Sequence, residues 1–108
     1  MRIIYTKSYD RTYKDLKKYK KELEILRNII DLLERIPNFS SLISDPISRM
    51  YNFERLKHDF NEFYSFRLSK VFRLIVRPCG NDVQVELVYI STNHYKDFDR
   101  GKVIYYDE

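Results

Sequence analysis

The sequence predicts an α+β domain: an N-terminal strand and a helical hairpin packed on an antiparallel sheet of about four strands. Three observations carry this expectation. A short β-branched and aromatic run opens the chain at Arg2-Ile-Ile-Tyr-Thr6. A stretch free of Gly and Pro from about Asp10 to Ile36 repeats apolar residues at helical spacing. Three apolar runs separated by turn-prone residues then fill positions 63 to 90. Helices grouped ahead of a run of strands form a separate layer on one face of the sheet.

The first run reads as a strand because β-branched and aromatic side chains suit a pleated surface. Thr6, Ser8 and Asp10 follow it as candidate helix caps. Leu16, Tyr19, Leu23, Leu26, Ile30 and Leu33 then recur every three or four residues, the stripe of an amphipathic helix that Pro37 ends. A single helix of that length would span about 40 Å, too long for so small a domain. A break is therefore expected within the charge run Lys17 to Glu22, which makes a hairpin. Asn38 to Met50 holds four serines and a proline without periodicity and reads as a loop. Strands are expected at Phe63 to Leu68, Val71 to Arg77 and Val83 to Ile90, close enough in sequence for an antiparallel meander.

With 108 residues, 44% of them hydrophobic, the chain suffices for one core, so residues 1–108 are expected to form one domain. The opening apolar run is too short for a signal-peptide core, and no run of eighteen apolar residues occurs. A cytoplasmic protein without a membrane segment is expected. The single cysteine, Cys79, excludes an internal disulfide and a multi-cysteine metal site; in Arg77-Pro-Cys-Gly-Asn-Asp82 it reads as an incidental loop thiol. Residues 1–37 carry ten basic against six acidic side chains and residues 38–77 seven against four, whereas the last 31 carry three against six. Positive charge thus belongs to the body of the domain, which suits a polyanion and equally suits a solvated helix face.

The chemistry-bearing residues cluster where loop meets sheet. Phe53-Glu-Arg-Leu-Lys-His-Asp-Phe60 is followed by Phe63-Tyr-Ser-Phe-Arg-Leu68, Phe72-Arg-Leu-Ile-Val76 and, after the last strand, Asn93-His-Tyr-Lys-Asp-Phe98. Arg73 alternates with core residues and so is expected on the face away from the core, with Arg67 a candidate for the same face. Taken singly, each has a plainer role. Arg67 suits a cross-strand partner of Asp59, Glu54 a loop carboxylate, and Tyr95 or Phe98 an aromatic closing the sheet, the plainer role being favoured for Phe98.

Taken together, the pattern resembles the RelE superfamily of toxins, most closely the YoeB branch. There a Glu two residues before Leu-Lys-His, a Ser-x-Arg-aliphatic strand, an Arg-Leu-aliphatic strand and a late His-Tyr pair occur in this order. The match spans Glu54 to Tyr95, about two fifths of the chain, with a small insertion near Pro78 to Asp82. The resemblance implies metal-independent endoribonuclease activity on mRNA without a cofactor, usually on the ribosome, held in check by an antitoxin.

It also implies roles. Glu54 would be the general base, Arg73 the guanidinium that meets charge building on the phosphate, and His94 the general acid. Tyr95 would stack on a splayed base, Lys57 and Arg67 would extend the phosphate cradle, and His58 would either assist proton transfer or orient Glu54. YoeB-like chains tend to stop at the His-Tyr pair, whereas this one runs on through 96–108, a C-terminal extension suited to adding an edge strand or covering the site. The His-Tyr-Lys-Asp-Phe wording is also similar to the YafQ branch. The competing functions are a ParE-like toxin that binds a topoisomerase without cutting RNA, and an RNA- or ribosome-binding module that has lost the chemistry.

Overall fold

The computed structural model describes residues 1–106; the last two residues of the C-terminal extension, Asp107 and Glu108, lie outside the described residues. The elements run β1 (Arg2–Tyr5), α1 (Lys7–Leu16), α2 (Lys20–Arg35), α3 (Pro46–Met50), β2 (Glu54–Arg55), β3 (Tyr64–Arg67), β4 (Arg73–Cys79) and β5 (Gln84–Ser91), with short 3-10 turns at Phe39–Ser44, His58–Phe60 and Arg100–Lys102. The expected α+β architecture is present, with five strands rather than four in the order β1-β5-β4-β3-β2. The sheet is mixed, not antiparallel throughout: β1 runs parallel to β5, pairing Arg2 with Gln84 and Tyr5 with Leu87. No helix among the described residues is long and apolar enough to cross a membrane.

Thr6 turns the chain from β1 into α1. Its hydroxyl accepts from Tyr9 N (3.0 Å) as an N-cap and donates to the main-chain oxygen of Val88 (2.9 Å), tying the helix start to the neighbouring strand. The helical break falls at Lys17 to Tyr19, inside the expected charge run, and the longest dimension of the fold is 31 Å, shorter than an unbroken helix would have been. Leu26, Ile29, Leu32 and Leu33 of α2 lie buried against Phe66, Leu74, Val76, Leu87 and Ile90 of the sheet.

The segment expected to be a plain loop, 38–50, is instead a 3-10 turn capped by Asn38 and the short helix α3. Asp45 caps α3, accepting from Ile47 N (2.8 Å), and Pro46 occupies its first turn. Such short elements leave no periodicity to read.

The other face of the sheet carries a second, smaller core of Leu56, Phe63, Ile75, Val88 and Phe98. A bulge makes it possible. Ile75 pairs with Tyr89 but Val76 with Leu87, so Val88 is the extra residue and joins Tyr89 on the second face. Among the described residues the C-terminal segment adds no strand. It crosses this face through Phe98, whose ring lies 5.1 to 5.6 Å from those of Phe63, Phe60 and Tyr89. It then returns to α1, where Ile104 N donates to the Ser8 hydroxyl (2.7 Å). Phe98 is 4% exposed, as expected of a core aromatic. Cys79 closes β4, half-buried, and burial raises its thiol pKa, which keeps it in the unreactive protonated form.

Phe98→Ala should therefore destabilise the protein by about 3 to 5 kcal/mol, the usual cost of emptying an aromatic site. Urea denaturation measures this, and a loss under about 1 kcal/mol would mean that the segment is not part of the core.

Candidate active site

The second face gathers the polar residues at one end of the sheet. Glu54 is the Cα partner of Ser65, and Arg67 that of Arg73, so alternation along each strand turns Glu54, Ser65, Arg67 and Arg73 to the same side. Arg67 and Arg73 form the closing pair of the β3–β4 hairpin. Arg49, Asn52, Phe53, Glu54, Arg67 and Arg73 line a cleft of about 480 Å³. The predicted face for the arginines is the observed one.

Arg73 is 6% exposed and lacks a carboxylate within salt-bridge distance among the described residues. Its Nη1 donates instead to the main-chain oxygens of Ser69 (2.7 Å), Phe72 (3.0 Å) and Lys70 (3.2 Å), so the hairpin loop forms a cage of carbonyls around it. Burial lowers its pKa from the ordinary guanidinium value and the like charge of Arg67 lowers it further, while Glu54 and Tyr95 oppose the shift. A positive charge disfavoured in this way gains from an anion. Arg67 is exposed and steadied by Asn52, whose side-chain oxygen, in the amide orientation that matches donors to acceptors, takes Nη1 (2.9 Å) and Nε (3.1 Å). The Asp59 partnership suited to Arg67 does not occur.

The same loop holds His94. Its main-chain N donates to Val71 O (2.9 Å), and its Nδ1 lies 3.2 Å from Arg73 Nη2. A guanidinium only donates, so Nδ1 accepts and the ring is the Nε2–H tautomer. Tyr95, next along, is half-buried against the second core and near enough to influence the Arg73 charge. His94 and Tyr95 both have positive φ, 52° and 62°.

Glu54, Arg67, Arg73, His94 and Tyr95 thus come together. Lys57 and His58 do not join them: both are exposed at the start of the 3-10 turn after β2, with no side-chain hydrogen bond among the described residues. Sequence reasoning missed Arg49 and Asn52 and gave Phe53 no role. Their route into the cleft is α3 and the residues just after it, held where Phe53 N donates to Ser48 O (3.1 Å) and Arg67 N to Tyr51 O (2.7 Å). Asn52 left one trace, since its left-handed φ of 49° is a conformation asparagine tolerates.

The fold is similar to that of solved toxins of the YoeB/ParE and YafQ type. No family model matches the sequence, and no curated protein does. Among solved structures the fold is similar to a YoeB/ParE toxin from Agrobacterium tumefaciens (TM-score 0.66, 20% identity, 86% of this chain and 99% of that one). It is similar also to YafQ from E. coli (TM-score 0.66, 17% identity, 85% and 93%). A third likeness is to the E. coli DinJ-YafQ toxin-antitoxin complex (TM-score 0.59, 18% identity, 83% and 89%).

Inorganic phosphate should bind between the two arginines and raise the melting temperature. At a hundredfold excess over its Kd the added stability is about 2.7 kcal/mol. Arg73→Met should abolish the increment, and an equal increment in wild type and variant would place the anion elsewhere.

Proposed function

We propose that this chain is the toxin of a type II toxin-antitoxin pair and a cytoplasmic endoribonuclease that cleaves mRNA on the ribosome. The observation that carries the reading is a buried arginine without a carboxylate partner, fixed by main-chain carbonyls and aimed at a histidine, with a carboxylate in the same cleft. Metal-free RNA cleavage needs those three chemical functions within reach of one phosphate.

In the proposed reaction Glu54 takes the proton of the ribose 2′-hydroxyl, the 2′-oxygen bonds to phosphorus, and the bond from phosphorus to the 5′-oxygen breaks. Arg73, assisted by Arg67, meets the charge building on the phosphate oxygens. His94 delivers a proton from Nε2 to the departing oxygen, leaving a 2′,3′-cyclic phosphate and a 5′-hydroxyl. In the free protein Nδ1 accepts from Arg73 Nη2; as general acid the ring reacts in its doubly protonated form, Nδ1 having been released from Arg73 by the phosphate. Tyr95 stacks on a neighbouring base. Lys57 and His58, exposed beyond the cleft, contact the flanking backbone. Residues 1–77 carry 17 basic side chains (10 and 7) against 10 acidic (6 and 4), a balance that supports binding to ribosomal RNA phosphates and to an acidic antitoxin segment. The toxin-antitoxin complex of the similarly folded YafQ supports the antitoxin assignment.

Expression without a partner should arrest growth, and His94→Gln should relieve the arrest at equal soluble protein, since losing a general acid costs about 10² to 10⁴ in rate. Equal toxicity of the two would discard the nuclease reading in favour of a ParE-like toxin that acts by binding.

Arg73→Lys should lower single-turnover cleavage by about 10² or more with much less effect on RNA binding, because an ammonium keeps the charge but loses the planar fork. Cleavage should continue in chelator and yield the cyclic phosphate; a 5′-phosphate product would sink the mechanism.

A further inference from the structure

The left-handed conformation of His94 and Tyr95 is one that residues other than glycine adopt only under constraint. Much of that constraint converges on one hydroxyl. Ser91, the last residue of β5 and the Cα partner of Arg73, is fully buried. Its Oγ accepts from Tyr95 N (2.6 Å) and Asn93 N (3.3 Å) and donates to the Asp97 carboxylate. A hydroxyl has one proton and two lone pairs, and all three are engaged.

Asp97 sets the direction of this arrangement. A carboxylate only accepts, so the Ser91 proton must point to it, leaving both lone pairs for the two main-chain N–H groups. Its other oxygen accepts from Thr92 N (3.3 Å), the Thr92 hydroxyl (3.4 Å) and the Tyr89 hydroxyl (3.4 Å), which fixes the carboxylate itself.

We propose that Ser91 and Asp97 are positioning residues: their hydrogen bond holds His94 and Tyr95 left-handed within the 93–97 turn and so keeps the His94 imidazole against Arg73 as its Nε2–H tautomer. Without it the turn relaxes toward ordinary negative φ, and the ring leaves the one donor that selects its tautomer. The role in catalysis rests on the proposed nuclease function; the effect on the His94 ring does not.

Nitrogen NMR of protein labelled with ¹⁵N-histidine tests this at a pH where both rings are neutral. The only other histidine, His58, is exposed without a side-chain partner among the described residues and serves as an internal reference for a freely exchanging ring. Wild-type His94 should show a protonated Nε2 and a bare Nδ1. In Ser91→Ala and in Asp97→Ala its signals should move toward those of His58, while Ser91→Thr, which keeps the hydroxyl, should hold them. The double alanine variant should be no worse than the worse single one, since both remove one interaction. Asp97 is exposed, so its variant decides the matter even if Ser91→Ala folds poorly. Single-turnover cleavage at saturating enzyme should fall about 10- to 100-fold in the alanine variants with RNA affinity little changed. Unmoved His94 signals in Asp97→Ala would overturn the proposal. Moved signals with undiminished cleavage would uphold the positioning role and overturn the part given to His94 in the reaction.

Discussion

The site depends on how the β3–β4 hairpin closes. Three carbonyls of its loop and closing turn take one amino group of Arg73, and a fourth, that of Val71, holds the main chain of His94. Carbonyl dipoles satisfy the hydrogen bonds of a buried guanidinium without cancelling its charge, so the positive field survives for a ligand. Arg77, four residues along the same strand, shows the alternative. Its Nη2 lies 2.6 Å from Glu86, and although burial opposes its charge, Glu86 outweighs burial and holds its pKa above the ordinary value. One strand thus carries an arginine neutralised by a carboxylate and another left open to an anion.

How much was legible in the sequence follows from the range over which each feature is determined. The helical hairpin was, because its periodicity and the like-charged Lys17-Lys18 break are local. The parallel docking of β1 on β5 was not: it joins residues some eighty positions apart, and turn signals speak only for chain neighbours. The two-residue β2 and the bulge at Val88 are set by packing on both faces and leave no pattern. For α3, Asp45-Pro46 was a usable start signal, but five residues give no stripe to support it. Within the site, Glu54, Arg73 and His94 were singled out through a motif and the fold brings them near one another, whereas Asn52 and Arg49 enter through α3, the element that went unread. The contact of His94 Nδ1 with Arg73 depends on a left-handed turn that histidine and tyrosine do not advertise.

Features that open the site to an anion oppose folding. Two arginines face each other across the hairpin, and like charges directly opposite cost about 0.2 to 1 kcal/mol. Consecutive left-handed residues cost about 1 kcal/mol or more each. The second core offsets these locally. Phe98, three residues beyond Tyr95, packs on Phe60, Phe63 and Tyr89, and the segment after it joins Ile104 to Ser8 and then places Tyr105 against Arg77 (5.5 Å). Phe98 and Val103 are therefore built into the same face as the strained turn, and the apolar burial that anchors them also steadies the histidine.

The contact between Arg73 and His94 also decides what the proposed substrate displaces. A guanidinium N–H can only donate, so His94 Nδ1 is the acceptor that Arg73 Nη2 engages in the free protein. A phosphate arriving in the cleft is the stronger acceptor for Arg73 Nη2. On the proposed reaction, the substrate itself therefore takes the place of the His94 ring on Arg73. The clamp at Ser91 and Asp97 then has two tasks: it presents Nδ1 to Arg73 in the free protein, and it keeps Nε2 directed at the leaving oxygen after that bond is released.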